Sequence, residues 1–148
     1  MHPVASASAL VRRPRQEVFD FHTDTANLTR VLPLGLIRPE GPSELELGRV
    51  ISLVVGRGPL TFRGSIAVEE LDPPNKFVDV QRVGPFALWR HTHLFEEHGA
   101  FTRVTDTVQF RLVPPLRVLE GAAVPLVHAL LVAKLLRTAR VLARPEPV

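Results

Sequence analysis

The residues best equipped for chemistry lie on one predicted hairpin. His91 and His93 precede the turn residues His98-Gly99, and Asp106 follows them. Imidazole is the side chain that gains or loses a proton near neutral pH, and a carboxylate can orient it or hold its charge. A symmetric loop at His98-Gly99 pairs residues whose numbers sum to 197. Phe95 then faces Thr102, His93 faces Val104, His91 faces Asp106, Trp89 faces Val108 and Ala87 faces Phe110, all on one side. The other side carries Thr92, Thr105, Arg90, Thr107 and Gln109, the wetter set. The inward side is therefore apolar except for His91, His93 and Asp106.

A polar group buried without a partner costs about 1 to 3 kcal/mol, so these three must pair with one another or serve a ligand. As a core pair, His91 and Asp106 would fix strand register. As an active site, His91 would act as general acid or base, oriented by Asp106, while His93 held a substrate carbonyl. The third chemistry is a metal site. His91-Thr92-His93 puts two imidazoles on one strand face and Glu97 shares their parity, as in a cupin pattern, but the glycine spacing is off by one and a second motif is missing. No metal ligand is expected. On the preceding strand, a two-residue turn at Gly84-Pro85 puts Val78, Val80 and Arg82 on the histidine side, and a three-residue turn puts Phe77, Asp79 and Gln81 there. Sequence leaves both open. His128 could point into the same interior, whereas His22 reads as a helix-face residue, His98 as a turn residue and His2 as terminal.

The elements that must position these groups follow from periodicity and punctuation. Residues 4–11 read as a short strand. Val18, Phe21 and His22 repeat at helical spacing in 15–22, and Thr25 can cap a second helix in which Leu28, Val31 and Leu32 recur before Pro33. Residues 33–44, with Pro33, Pro39, Gly41 and Pro42, read as a loop. Five β-branched runs follow, at 49–55, 60–71, 77–83, 86–96 and 101–112, joined by short turns that make an antiparallel meander the economical topology. Residues 122–142 are helical in composition, with Arg137, Arg140 and Arg144 near the C-terminal end. A helix apolar on nearly all sides is normally surrounded by protein, here by a curved sheet; the competing reading is a surface helix that dimerises or lies on a membrane.

Composition narrows the classes. The chain has 148 residues and is expected to form one domain, 1–148. It has no cysteine, which removes disulfide frameworks and thiolate metal sites. With 18 Lys and Arg against 15 Asp and Glu, the net charge is only +3, and the arginines are scattered apart from Arg12, Arg13 and Arg15, so nucleic acid is not an expected partner. No uninterrupted apolar run of about 18 residues appears, and stable membrane insertion is not expected. The N-terminus lacks the features of a signal peptide, which makes a cytoplasmic location the default. No phosphate-binding glycine loop or nucleotide fingerprint is present, and no cofactor is expected.

At Asn27-Leu28 before Pro33, Gly84-Pro85-Phe86 with Trp89, His91, His93 and Phe95, the stretch from Thr102 to Asp106, and Pro114, the sequence resembles the START-like (helix-grip) superfamily. The resemblance is to bacterial SRPBCC ligand-binding proteins related to polyketide cyclase/dehydrase, and it spans nearly the whole chain. It implies an α+β fold: a strand, two short helices, a curved antiparallel sheet of six to seven strands in all, and a long C-terminal helix across the concave face. It also implies a deep apolar cavity that binds a lipid, polyketide or other hydrophobic small molecule without catalysis. The alternative is a cyclase or dehydratase using the His-Asp pair. The expected ligand-contacting residues are Phe62, Trp89, His91, His93, Phe95, Val104, Asp106, Val108, Phe110 and His128. Phe62 stands where many relatives carry Trp. A homodimer is compatible with this picture.

Overall fold

The computed structural model describes residues 1–145. Its elements run β1 (Val4–Val11), α1 (Arg15–Thr23), α2 (Leu28–Val31), β2 (Ile37–Glu40), β3 (Val50–Arg57), β4 (Leu60–Asp72), β5 (Lys76–Val83), β6 (Phe86–His98), β7 (Phe101–Leu112) and α3 (Glu120–Ala143). The strands form one antiparallel sheet in the order β1-β7-β6-β5-β4-β3-β2, curled into a half-barrel. Register shifts in the β4–β5 and β6–β7 ladders supply part of the bend. The helix-grip architecture expected from sequence is the one observed.

Three local readings need correction. Asp24, not Thr25, caps the turn that leads into α2, accepting a hydrogen bond from the Ala26 amide, while the Thr25 hydroxyl donates to the Ser43 carbonyl. The segment 33–44 is not all loop, since Ile37–Glu40 pairs with β3 as a seventh strand, its Pro39 tolerated because β2 is an edge. The β6–β7 turn lies at Gly99-Ala100, one residue later than expected. Gly99 has φ 62°, the left-handed conformation that a tight hairpin turn demands.

That small displacement moves the hairpin register by two residues. His93 now faces Asp106, His91 faces Val108, Trp89 faces Phe110 and Phe95 faces Val104. A shift of two preserves parity, so residues 88–98 keep their predicted faces while changing partners, whereas the irregularity between Phe86 and Leu88 packs Phe86 on the core and leaves Ala87, expected inside, exposed. The open question of β5 is also settled: Phe77 pairs with His93 and Asp79 with His91, which puts Asp79 inside.

The core fills the concavity. Phe19 of α1 meets Phe77 and Phe95 edge-on, with ring centroids 6.0 and 5.3 Å apart, and Val104, Val108 and Phe110 of β7 continue the layer. In β1 the inward residues are Ala5, Ala7 and Ala9, small enough for α3 to pack directly on that strand. The helix buries Val127, Leu131, Lys134, Leu135 and Thr138, a stripe at helical spacing. Its opposite face is not surrounded by protein, contrary to expectation: Leu126, Leu130 and Leu136 are exposed, because a single sheet can cover only one side of a rod. The span Leu116–Ala143 is also long and apolar enough, by length and composition, to cross a membrane, a property hidden in the sequence by its scattered polar residues.

Candidate functional site

The curvature of the sheet and the register of β5, β6 and β7 bring four charged or titratable side chains into one buried row. His93 lies between two carboxylates. Its Nδ1 is 3.0 Å from Asp106 Oδ1, and its Nε2 is 2.9 Å from Asp79 Oδ2. Lys134 reaches down from α3 and donates from Nζ to Asp106 Oδ2 at 2.6 Å. The four side chains are almost wholly removed from solvent.

Electrostatics assigns their states. Burial opposes charge on His93, but the adjacent Asp106 and the hydrogen bonds to both carboxylates outweigh it, and its pKa lies above the ordinary value. Burial likewise opposes the Asp106 carboxylate, yet Lys134, His93 and His91 together hold its pKa well below the usual range. Asp79 is also lowered, since the hydrogen bond from His93 and the nearby positive groups overcome desolvation. With both ring nitrogens facing acceptors, His93 is an imidazolium that donates twice. Two carboxylates and two cations then balance, which is the condition for keeping charges in an apolar interior.

Two further histidines flank this row in the opposite state. His91 stacks on His93 with ring centroids 3.8 Å apart, and burial together with the charge on His93 lowers its pKa. Its Nε2 lies 3.5 Å from Asp106 Oδ2, too far for a good hydrogen bond, and has no other partner. His22 of α1 uses Nδ1 on the Val18 carbonyl at 2.8 Å, and its buried Nε2 is also unpartnered. Burial and then Lys134 push its pKa down to about 3, so it is a neutral imidazole in a dry setting.

A hollow of about 50 Å³ adjoins the row between α1, α2, the sheet and α3. His22, His93, Lys134 and Thr138 give it a polar end, and Leu28, Ile66 and Phe77 an apolar one. That volume suits a water or two, whereas pockets for drug-sized molecules run to roughly 300 to 1,000 Å³. The hollow is thus far smaller than the deep cavity expected from sequence. Next in sequence to its lining residues Val31 and Thr138, α2 and α3 are tied where the Arg137 guanidinium donates to the Leu32 carbonyl at 3.4 Å.

Of the expected ligand-contacting residues, Trp89, His91, His93, Phe95, Val104, Asp106, Val108 and Phe110 lie together on the concave side. Trp89 packs on Phe86, with ring centroids 4.7 Å apart, at the end of the interior remote from the hollow. Two do not join them. Phe62 is 45% exposed and lines a separate, half-open depression of about 610 Å³ with Arg38, Glu40 and Arg63, away from the histidine row. His128 is exposed on α3, where its Nδ1 meets the Ser6 carbonyl at 2.8 Å. Sequence reasoning missed Lys134 and His22. Each carried a signal: Lys134 falls three residues after Leu131 and seven after Val127 on the inner stripe, and His22 lies four after Val18.

Solved structures share this architecture. TTHA0849 from Thermus thermophilus superposes with a TM-score of 0.76 at 19% identity, covering 95% of this chain and 97% of that one. The di-domain ARO/CYC BexL from the BE-7585A biosynthetic pathway gives 0.74 at 20% identity, over 97% of this chain and 48% of that one. DynU16, a protein in the dynemicin biosynthetic locus, gives 0.70 at 18% identity, over 95% of this chain and 47% of that one. No family model and no curated protein matches the sequence. The chain has the helix-grip fold, built around a buried Asp-His-Asp-Lys row.

Proposed function

We propose that the chain binds a hydrophobic small molecule in the hollow between its sheet and α3, with the polar end of that hollow receiving the molecule's one or two polar atoms. The observation that carries this reading is His22 Nε2, a desolvated nitrogen without a partner at the edge of a hollow. Leaving such an atom unsatisfied costs about 1 to 3 kcal/mol, and because Nδ1 spends the ring's hydrogen on the Val18 carbonyl, Nε2 is an acceptor that a ligand hydroxyl would satisfy by donating to it. Apolar walls with a few fixed polar groups are the usual lining of small-molecule sites. The ARO/CYC designation of BexL, a protein of the same fold, supports an aromatic or polyketide-like ligand. Entry requires α2 to part from α3, because the hollow is several times too small.

Native mass spectrometry of gently purified protein tests this directly, with the expected result a bound organic molecule of a few hundred daltons. A second arm adds 1-anilinonaphthalene-8-sulfonate, for which saturable one-to-one uptake is expected, with Thr138→Phe reducing it by narrowing the hollow. Protein that carries nothing and takes up no probe would refute the reading.

A catalytic version, a cyclase or dehydratase, has one observation in its favour. His91 is buried, has a lowered pKa and has no hydrogen bond at Nε2 to give up, as a group that moves a proton needs, whereas His93 has both nitrogens committed. In that version His91 moves the proton, and Asp106 stabilises the resulting imidazolium. Loss of turnover of an aromatic polyketide substrate in His91→Ala, with binding retained, is the expected result.

A further inference from the structure

We propose that Asp79, His91 and His93 form a binding site for a divalent transition-metal ion of the zinc and cobalt class. The sequence points to a metal only through His91-Thr92-His93 and looks for the third ligand in Glu97. In the structure Glu97 is exposed and pairs with Arg15 at 3.5 Å, so it is not available. The third donor comes from the neighbouring strand. One ligand atom from each of Asp79, His91 and His93 lies within 4.8 Å of the other two.

Several independent features suit an ion. Around tetrahedral zinc, with bonds of about 2.0 to 2.1 Å, donor atoms sit roughly 3.3 Å apart, so closing the triangle needs side-chain adjustments on the order of an ångström. The three residues are mounted on rigid neighbouring strands, Asp79 directly opposite His91 and His93 two residues further along the same face. His93 has the outer support that metal-bound imidazoles use, its Nδ1 held by Asp106 at 3.0 Å while Lys134 fixes that carboxylate at 2.6 Å. His91 Nε2 is buried with no hydrogen-bond partner, so an ion can take it without displacing an existing hydrogen bond. Two imidazoles and one carboxylate favour borderline ions over magnesium or calcium, and three protein donors leave a fourth position for water or another small ligand.

Binding replaces one proton. The hydrogen on His93 Nε2, which otherwise bridges to Asp79 at 2.9 Å, leaves to solvent, and the ion takes its place between the same two atoms. Apart from that N–H bond, whose electron pair goes to the ion, no covalent bond of the chain breaks, and no redox step is involved. The inference goes beyond the ligand-binding reading and stands apart from it, because the ion alone is the probe and no organic molecule is needed.

The test uses the full chain stripped with chelator and titrated with Co²⁺ and Zn²⁺. One equivalent of Co²⁺ should produce the visible absorption of a four- or five-coordinate ion, and Zn²⁺ should displace it. His91→Gln and Asp79→Asn should each weaken Zn²⁺ affinity more than about 100-fold, whereas a combined His2→Gln, His98→Gln, His128→Gln variant should bind as the parent does. Absence of the cobalt spectrum, or binding that survives the first two variants and disappears in the surface triple variant, would overturn the assignment. Should the buried variants fail to fold, nitrogen-15 imidazole spectra of the parent protein decide: Zn²⁺ must shift the Nε2 resonances of His91 and His93, and unchanged resonances would equally overturn it.

Discussion

Lys134 on the terminal helix and Asp106 on β7 are joined at 2.6 Å inside the core, and theirs is the only buried ion pair between α3 and the sheet among the described residues. Helix packing in the interior therefore rests on apolar contact plus one charge pair whose partners cannot be solvated separately. Removing one partner of a buried pair typically costs about 3 to 5 kcal/mol, because the other charge is left stranded. Lys134→Met should lose about that much in urea unfolding. Adding Asp106→Asn to it should recover part of the loss, since the stranded charge is then gone. Equal or greater destabilisation in the double variant would show that the hydrogen bonds of Asp106, not its charge, dominate.

Acid sensitivity should be set by His22 and, in the same sense, by His91, whose pKa is also lowered by burial. The folded pKa of His22, about 3, lies below the ordinary value of 6.5, so between those limits the unfolded chain binds the extra proton and stability rises with pH. Acidifying metal-free protein from pH 7 to pH 4 should cost on the order of a few kcal/mol through this residue. His93 acts in the opposite sense. Its raised pKa contributes stability at low pH that fades as pH rises through the folded value, so it does not add to the acid loss. Chemical denaturation at stepped pH, with parent and His22→Phe compared, measures the difference: the variant should show a flatter slope between pH 4 and 6.5.

Much of this arrangement was legible beforehand, and the gaps have physical causes. Alternation along β6 and β7 placed His91, His93 and Asp106 on one inner face, and that survived an error in the turn because parity repeats every two residues. The identity of the partners did not survive it. His93, not His91, faces Asp106, since one residue's displacement of a turn moves every pair by two. Asp79 was unreachable because turn length on the β5 side could not be read from Gly84-Pro85, and Lys134 because a helix carries no register to the sheet it crosses. The size of the hollow depends on how far Phe19, Phe77 and Phe95 fill the concavity, which no pattern of residue types reports.

The contact between α2 and α3 beside the hollow offers a separate handle. Arg137 on α3 donates to the Leu32 carbonyl at the end of α2, a partly buried bond that helps keep the two helices together. At 3.4 Å it is a weak latch, worth no more than about 1 kcal/mol. Arg137→Ala should leave the melting temperature within a few degrees of the parent, yet speed amide exchange in residues 28–32 and accelerate uptake of a hydrophobic fluorophore. Unchanged exchange there would mean that apolar packing alone holds α2 against α3.

The two faces of α3 give the sharpest contrast between similar residues. Leu131 is 2% exposed and packed in the core, while Leu126, little more than one turn away, is 72% exposed. Leu131→Ala removes buried methyl groups and leaves a cavity, which should cost about 2 to 5 kcal/mol. Leu126→Gln should change monomer stability by no more than about 0.5 kcal/mol. Sedimentation at several concentrations adds the second half of the comparison. If the exposed leucines pair two copies of the chain, Leu126→Gln will weaken that association and its stability effect will grow with protein concentration. If the chain is a monomer at all concentrations, the parent and Leu126→Gln will unfold alike, and the outer leucines contribute nothing to the fold.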